Sequence, residues 1–277
     1  MKWNKLNFNS AQISKSLALF WLLLLVAGSL LVRCEKLSTF EEMDVNHIYE
    51  FPSRQFLMGT DSLGRSYFFR VLKGSGISLM IALQSSFLCL IIAMVFGGIA
   101  GWFSKRLDFG FTIILDVWMS LPTTVLASLV ALVFLENNES LMLVSVMIGV
   151  THWGRLARLI RSEIIRIKEM EFVSAAQLFG GNSIHIVKAH IFPHLRVMIG
   201  ITLLYQLPTL ILSESFMSFI GLGIHPPETS WGLLLQEGWR NLRVYPHVVL
   251  FPALFLFLTI LSLNQLSENL DNFSSDN

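Results

Sequence analysis

Six stretches of this chain are long and apolar. They run roughly over residues 17–32, 77–103, 109–135, 141–158, 194–220 and 248–266. About 20 apolar residues in a helix cross the hydrocarbon of a bilayer. Inside lipid every backbone N–H and C=O must find a partner within the structure, which leaves helices or closed barrels. The runs lack the ten-residue alternation of barrel strands. The sequence therefore predicts an all-α membrane protein with about six transmembrane helices. Composition agrees: 53% of residues are hydrophobic and 14% charged, against about 25% charged in ordinary soluble domains. A net charge of +1 gives no bias toward nucleic acid. The first run follows Lys2, Lys5 and Lys15 and reads as an uncleaved anchor. The "LLVRC" at its end fits a lipoprotein cleavage site badly, because Arg33 precedes Cys34. Cys34 and Cys89 are the only cysteines, and neither a disulfide nor a C-x-x-C metal site is expected of them.

Lysine and arginine in short loops set the orientation. They gather before the first run, at Lys105 and Arg106, and at Arg155, Arg158, Arg161, Arg166, Lys168 and Lys188. With six crossings these regions share one side, so both termini and the basic segment are predicted to be cytoplasmic. Two regions follow: 1–76, holding the first span and an extracytoplasmic segment, and 77–277, holding the remaining spans and a cytoplasmic stretch at about 154–190.

The octet "GTDSLGRS", Gly59 to Ser66, sits close to the phosphate-binding pattern G-x-x-x-x-G-K-[ST]. Arg65 stands where lysine belongs, no convincing strand precedes Gly59, and the segment lies away from the ATP side. The glycines read as turn residues, with Asp61 and Ser62 as caps for a helix beginning near Leu63. Histidines 185, 190 and 194 do not complete H-E-x-x-H, since Ile191 replaces the glutamate.

The basic stretch shows helical spacing of apolar residues at Leu156, Leu159, Ile160, Ile164 and Ile167. After it comes "EFVSAAQLFGG". Glu171 suits a helix N-terminus, Ala175 and Ala176 leave room for a close approach, and Gly180 with Gly181 ends the helix. Pro193 marks the start of the fifth span. From these residues alone, a plug for a partner's groove and an amphipathic helix lying on the bilayer are equally good readings.

The sequence Glu171 to Gly180, followed by "IFP" at Ile191 to Pro193, resembles the EAA loop of ABC importer permeases. "GTDSLGRS" with "FFRVLKGSGISL", "DVWMSLP" at Asp116 to Pro122, and "SFIGLGIHPPETSWGLLL" at Ser218 to Leu235 resemble motifs of the C-type permease of oligopeptide and dipeptide importers, in the same order. The likeness covers about residues 57–270. It departs at Ser66, where the family usually has Asp, and at Phe192, where it has Leu.

That resemblance implies a type I importer permease without catalytic, metal or cofactor sites of its own. ATP and Mg²⁺ would be bound by two separate ATPase subunits. A second permease, an extracytoplasmic solute-binding protein and membrane lipid complete the implied partners, in the bacterial cytoplasmic (inner) membrane. Glu171, Ala175, Ala176, Gly180 and Pro193 would couple to the ATPases. Asp116 and Glu214, near or within spans, match acidic positions of the family and are expected to line the pathway, gate it or pair across helices. Pro122 and Pro208 are expected to kink their helices. The loop Gly223 to Gly232 is expected to be rigid, with Trp231 as an interface anchor and the binding protein as a candidate contact. Peptide is the default solute; nickel or another small solute is the alternative within the family. An intramembrane enzyme built on His152 and Ser145, and an ion-driven transporter with inverted repeats, are less well supported by motif.

Overall fold

The computed structural model describes residues 3–33, 43–103, 105–134, 141–178 and 182–275. Among these residues the regular structure is helical, apart from a single Thr60–Ser66 bridge. Eleven α-helices follow in order: α1 (Trp3–Arg33), α2 (Tyr67–Trp102), α3 (Lys105–Ser120), α4 (Thr123–Phe134), α5 (Leu141–His152), α6 (Gly154–Lys168), α7 (Glu171–Leu178), α8 (Ser183–Ile186), α9 (Phe192–Phe219), α10 (Trp231–Trp239) and α11 (His247–Ser275).

The apolar stretches become helices in three different ways. Four of them give uninterrupted helices able to cross a membrane: Ser14–Val32 of α1, all of α2, all of α9 and His247–Leu270 of α11. The third stretch is broken. Asp108–Ser120 and Thr123–Val133 meet at 82°. Pro122 stands at that break and has no N–H to give; the carbonyl of Trp118, four residues back, instead receives the N–H of Leu121 at 3.3 Å. The expected kink is thus a full corner at Pro122, whereas α9 continues through Pro208. The fourth stretch gives the short α5, which stops at His152; α6 begins two residues later. Where six crossings are expected from the sequence, four helices among the described residues are long and apolar enough to cross, or up to five if the bent pair counts as one span.

α5 and α6 lie along α2 in the same direction. Ser85 donates to the Ser145 carbonyl (2.9 Å) and Cys89 to that of Gly149 (3.2 Å). A turn or two onward, a Cβ at Gly97 would stand 2.5 Å from the Ala157 carbonyl, and one at Gly101 2.9 Å from that of Arg161. Small residues allow this backbone approach, the usual way helices associate where lipid removes the hydrophobic drive. Leu156, Ile160, Ile164 and Ile167 are buried on this side, as their spacing predicts; Leu159 is 38% exposed and turns elsewhere. The apolar face of α6 is therefore spent on protein.

At the other end of α2 the octet forms a clamped turn. Gly59 and Gly64 hold φ of +77° and +74°, and a Cβ at either would collide with a backbone carbonyl, of Glu50 and Asp44 respectively. The Asp61 carboxylate accepts from the N–H groups of Leu63 (2.8 Å) and Arg65 (3.0 Å). It closes the turn and does not cap a helix near Leu63; α2 starts at Tyr67. Arg65 is engaged by the same carboxylate through Nε at 2.7 Å. Trp231 is buried, its Nε1 donating to the Val71 carbonyl at 3.3 Å. The expected interface anchor is part of the core, because α10, capped by Ser230 at Leu233 N, packs back onto α2 and α9.

Candidate functional site

Between α6 and α9 the short helix α7 presents an outward face. It begins at Glu171, as expected. Val173 is fully buried and Ala176 packs partly against the core. Glu171 and Leu178 are exposed and Ala175 is half-buried. Positions 171, 175 and 178 share a face by helical spacing. The alanine pair is thus divided: Ala175 belongs to the outward face and Ala176 to the inward one. Leu178, 88% exposed, extends the outward face with an apolar side chain; only the outward direction of this residue, invisible in a one-dimensional pattern of Ala and Gly, marks it out. Gly180 and Gly181 lie outside the described residues.

α7 is braced from two sides. Phe172 stacks on His194 of α9, ring centres 5.2 Å apart. On the other side it joins α6 through Glu169 and Met170, whose N–H groups reach the carbonyls of Arg166 and Ile167. α6 is itself fixed. Arg158 pairs with Asp116 and Arg161 with Asp108, both on α3. Lys168 Nζ donates to the Trp102 carbonyl (2.7 Å) and lies 5.3 Å from the Trp102 ring centre. At the exposed end of α6, the hydrogen bond to Glu163 holds the Arg166 guanidinium above its ordinary range.

Pro193 lies in the first turn of α9, at the start of the fifth span as expected, but it does not begin the helical run. Helix runs from Ser183, and a π turn over Val187–Ile191 leads into α9. The Phe192 N–H bonds five residues back to Val187 O. Proline at 193 has no N–H for the normal four-residue bond, and such π turns absorb that defect.

A cleft of about 430 Å³ opens where the two helix breaks face each other. Its wall includes Trp118, Leu121 and Pro122 at the α3–α4 corner, Thr151, His152 and Arg155 around the α5–α6 break, and Thr202, Tyr205, Gln206 and Thr209 on α9. Hydrogen bonds tie the breaks together. Trp118 Nε1 donates to Thr151 O (3.1 Å) and Gln206 Nε2 to His152 O (3.0 Å). His152 Nε2 meets Ser213 Oγ at 2.9 Å, and Ser213 Oγ meets Thr124 Oγ1 at 3.2 Å. Ser145, paired with His152 as a candidate catalytic couple in the sequence, bonds instead to Gln84 and Leu141.

The two carboxylates flagged in the spans are both engaged, outside this cleft. Asp116 is exposed and holds Arg158. Glu214 is fully buried, its oxygens receiving Ser78 and Ser218 at 2.8 Å each and Ser215 at 3.4 Å. Ser78 and Ser218 accept in turn from the N–H groups of Trp231 and Ile224. Glu214 therefore joins α2, α9 and the loop before α10 into one unit.

Known proteins give the same picture. The oligopeptide transport system permease protein OppC of Haemophilus influenzae is 32% identical over 234 residues, 84% of this chain and 74% of its own length. The dipeptide transport system permease protein DppC of Bacillus subtilis is 32% identical over 222 residues, 80% of this chain and 68% of its own. An inward-facing structure of the MetNI methionine ABC transporter superposes with a TM-score of 0.57 over 73% of this chain and 96% of that one, at 15% identity, and so shares the fold. The apolar helices and these likenesses make the chain a multi-pass membrane protein with the type I permease fold. With residues 93–274 matching it, the chain belongs to the family described as the binding-protein-dependent transport system inner membrane component.

Proposed function

We propose that this chain is a permease subunit of an ATP-driven importer for oligopeptides or dipeptides, working beside a second permease, two ATPase subunits and a solute-binding protein. The observation that carries the proposal is the outward face of α7: Glu171, Ala175 and Leu178 stand free on a short helix braced by α6 and α9. That face is shaped to enter a groove of an ATPase. ATP and Mg²⁺ bind to the ATPases, and this chain catalyses nothing. Closure of the ATPases moves α7, α6 follows, and the cleft changes its access; a two-state element is thereby biased by a ligand bound elsewhere. The peptide assignment follows the relatives named for oligopeptide and dipeptide transport. The basic residues near α1 and α6–α8 support a cytoplasmic side for both termini and α7.

The test is ATP-dependent uptake of a labelled peptide into proteoliposomes holding the whole assembly, together with copurification of the ATPases. Ala175→Arg is expected to lower both at least tenfold while the chain stays folded, because bulk is added only on the outward face. Ala176→Arg is expected to destabilise the chain itself, and Gly180→Asp to impair uptake. Full uptake and full ATPase recovery with Ala175→Arg would remove α7 from the docking role.

A further inference from the structure

Among the described residues Arg155 has no carboxylate partner, and it is set in the wall of the cleft. α6 carries Arg155, Arg158 and Arg161 at intervals of three, which places them along one flank of the helix. Two of the three are matched on α3: Arg161 by Asp108 and Arg158 by Asp116. α3 runs against α6, so the third rung falls near Met119, close to Gly154, where no acid stands. Among the described residues Arg155 has no ion pair, and its side chain is exposed to the cleft instead.

Its place beside an apolar helix makes that arrangement unusual. Arg155 stands three residues beyond the end of α5, a short apolar helix. An ionisable side chain at the edge of a span faces protein or a water-filled cavity, pairs, or marks a solute path. Asp108 and Asp116 satisfy the first two arginines by pairing. Around Arg155 the cleft supplies aromatic surface from Trp118 and Tyr205 and hydroxyls from Thr202 and Thr209. At about 430 Å³ it lies within the usual range for small-molecule pockets, roughly 300–1,000 Å³. A planar guanidinium matches a carboxylate in a two-point contact.

We propose that Arg155 receives the terminal carboxylate of the transported peptide as it passes the cleft, and so selects for a free C-terminus. This rests on the peptide-importer reading above. The competing source of an anion at the same guanidinium is a lipid headgroup phosphate.

The experiment compares uptake of one labelled tripeptide as its free acid and as its C-terminal amide by the reconstituted assembly. The binding protein is held constant, so any change in the acid-to-amide ratio comes from the permease. Arg155→Gln is expected to lower free-acid uptake about tenfold, the scale of a lost charge-assisted hydrogen bond, and to leave amide uptake unchanged. Arg155→Lys is expected to retain most of the preference, and Arg155→Glu to reverse it. The same ratio in wild type and every variant overturns the proposal. So does an equal loss for both substrates in assembled complexes, which assigns Arg155 to structure. An effect that follows the anionic lipid content of the vesicles and not the peptide end group assigns the site to a headgroup. A wild-type assembly that moves neither peptide rejects the peptide reading itself, and the Arg155 assignment falls with it.

Discussion

Arg70 sits 4% exposed at the first turn of α2 and is held by two carboxylates. Nη1 lies 2.8 Å from Asp61 and 2.7 Å from Glu237, while Nη2 donates to Glu237 (3.1 Å) and Thr229 (3.3 Å). A buried charge that loses its only partner costs about 3–5 kcal/mol. Here the two acids back each other up, so neither single loss leaves Arg70 alone. Asp61→Asn is expected to cost about 2 kcal/mol, since Glu237 remains but Arg65 is also released. Glu237→Gln should cost less, because its carboxylate is one-third exposed. The double variant leaves an unpaired buried guanidinium and is expected to exceed the sum of the two. Thermal unfolding of the three variants in the same detergent checks this; strict additivity would mean that Arg70 does not bind both acids at once. The turn glycines were legible in the octet, because glycine spacing is a local signal; the role of Asp61 was not, since the sequence suggests a helix cap and the carboxylate instead closes the turn. Glu237 was not, for it lies 167 residues further along the chain and only the packed fold brings it to Arg70.

Between elements, the α2–α6 contact decides how the C-terminal half of α2 is packed. Gly97 and Gly101 stand four apart on α2 and both admit α6 backbone. That small-x-x-x-small spacing was present in the sequence and is the signal that would have located the contact. Gly97→Leu is expected to force α6 away from α2 and cost about 2–4 kcal/mol, the upper range for overpacking against a carbonyl that cannot yield. Gly98→Leu, one position away with open space in front of it, serves as the control and is expected to be nearly neutral. Equal loss of folded protein for both, read by detergent-resistant yield, would contradict the close approach. Helix identity was legible for every apolar stretch, since hydropathy and helical period are strong over 20 residues. The breaks were legible unevenly. Pro122 announces its corner chemically. The interruption at Trp153 carries no proline; Gly154 follows it, facing Met119 and Trp118, and Trp153 itself is set against Phe96, Phe111 and Trp118. The π turn before α9 needed the register of Pro193 within a helix that begins ten residues earlier.

Across the whole molecule, movement at α7 has a defined route to the cleft. α7 adjoins α6, α6 is locked to α2 by backbone contact, and its arginines bind α3, whose far end forms the corner at Pro122. The α3 link is electrostatic where the α2 link is steric, so it can be cut without repacking a core. Arg161 binds Asp108 through two bonds, Nε to Oδ1 and Nη2 to Oδ2, the second at 2.7 Å. Both side chains are only partly exposed, so the pair should contribute about 1 kcal/mol, near the top of the range for accessible ion pairs. That is too little to unfold the chain. It is enough to loosen α3 from α6 and, under the proposed coupling through α7, to uncouple the cleft from the ATPases. Arg161→Asp and Asp108→Arg are each expected to lower peptide uptake several-fold while ATP hydrolysis by the assembly continues. The exchanged pair, with aspartate at 161 and arginine at 108, is expected to recover a substantial part of the uptake, because opposite charges again face each other. Recovery with hydrolysis nearly constant throughout identifies α3 as a moving part of the pathway. Uptake and hydrolysis falling together in all three variants would show instead that the ion pair only shapes the surface on which the ATPases dock.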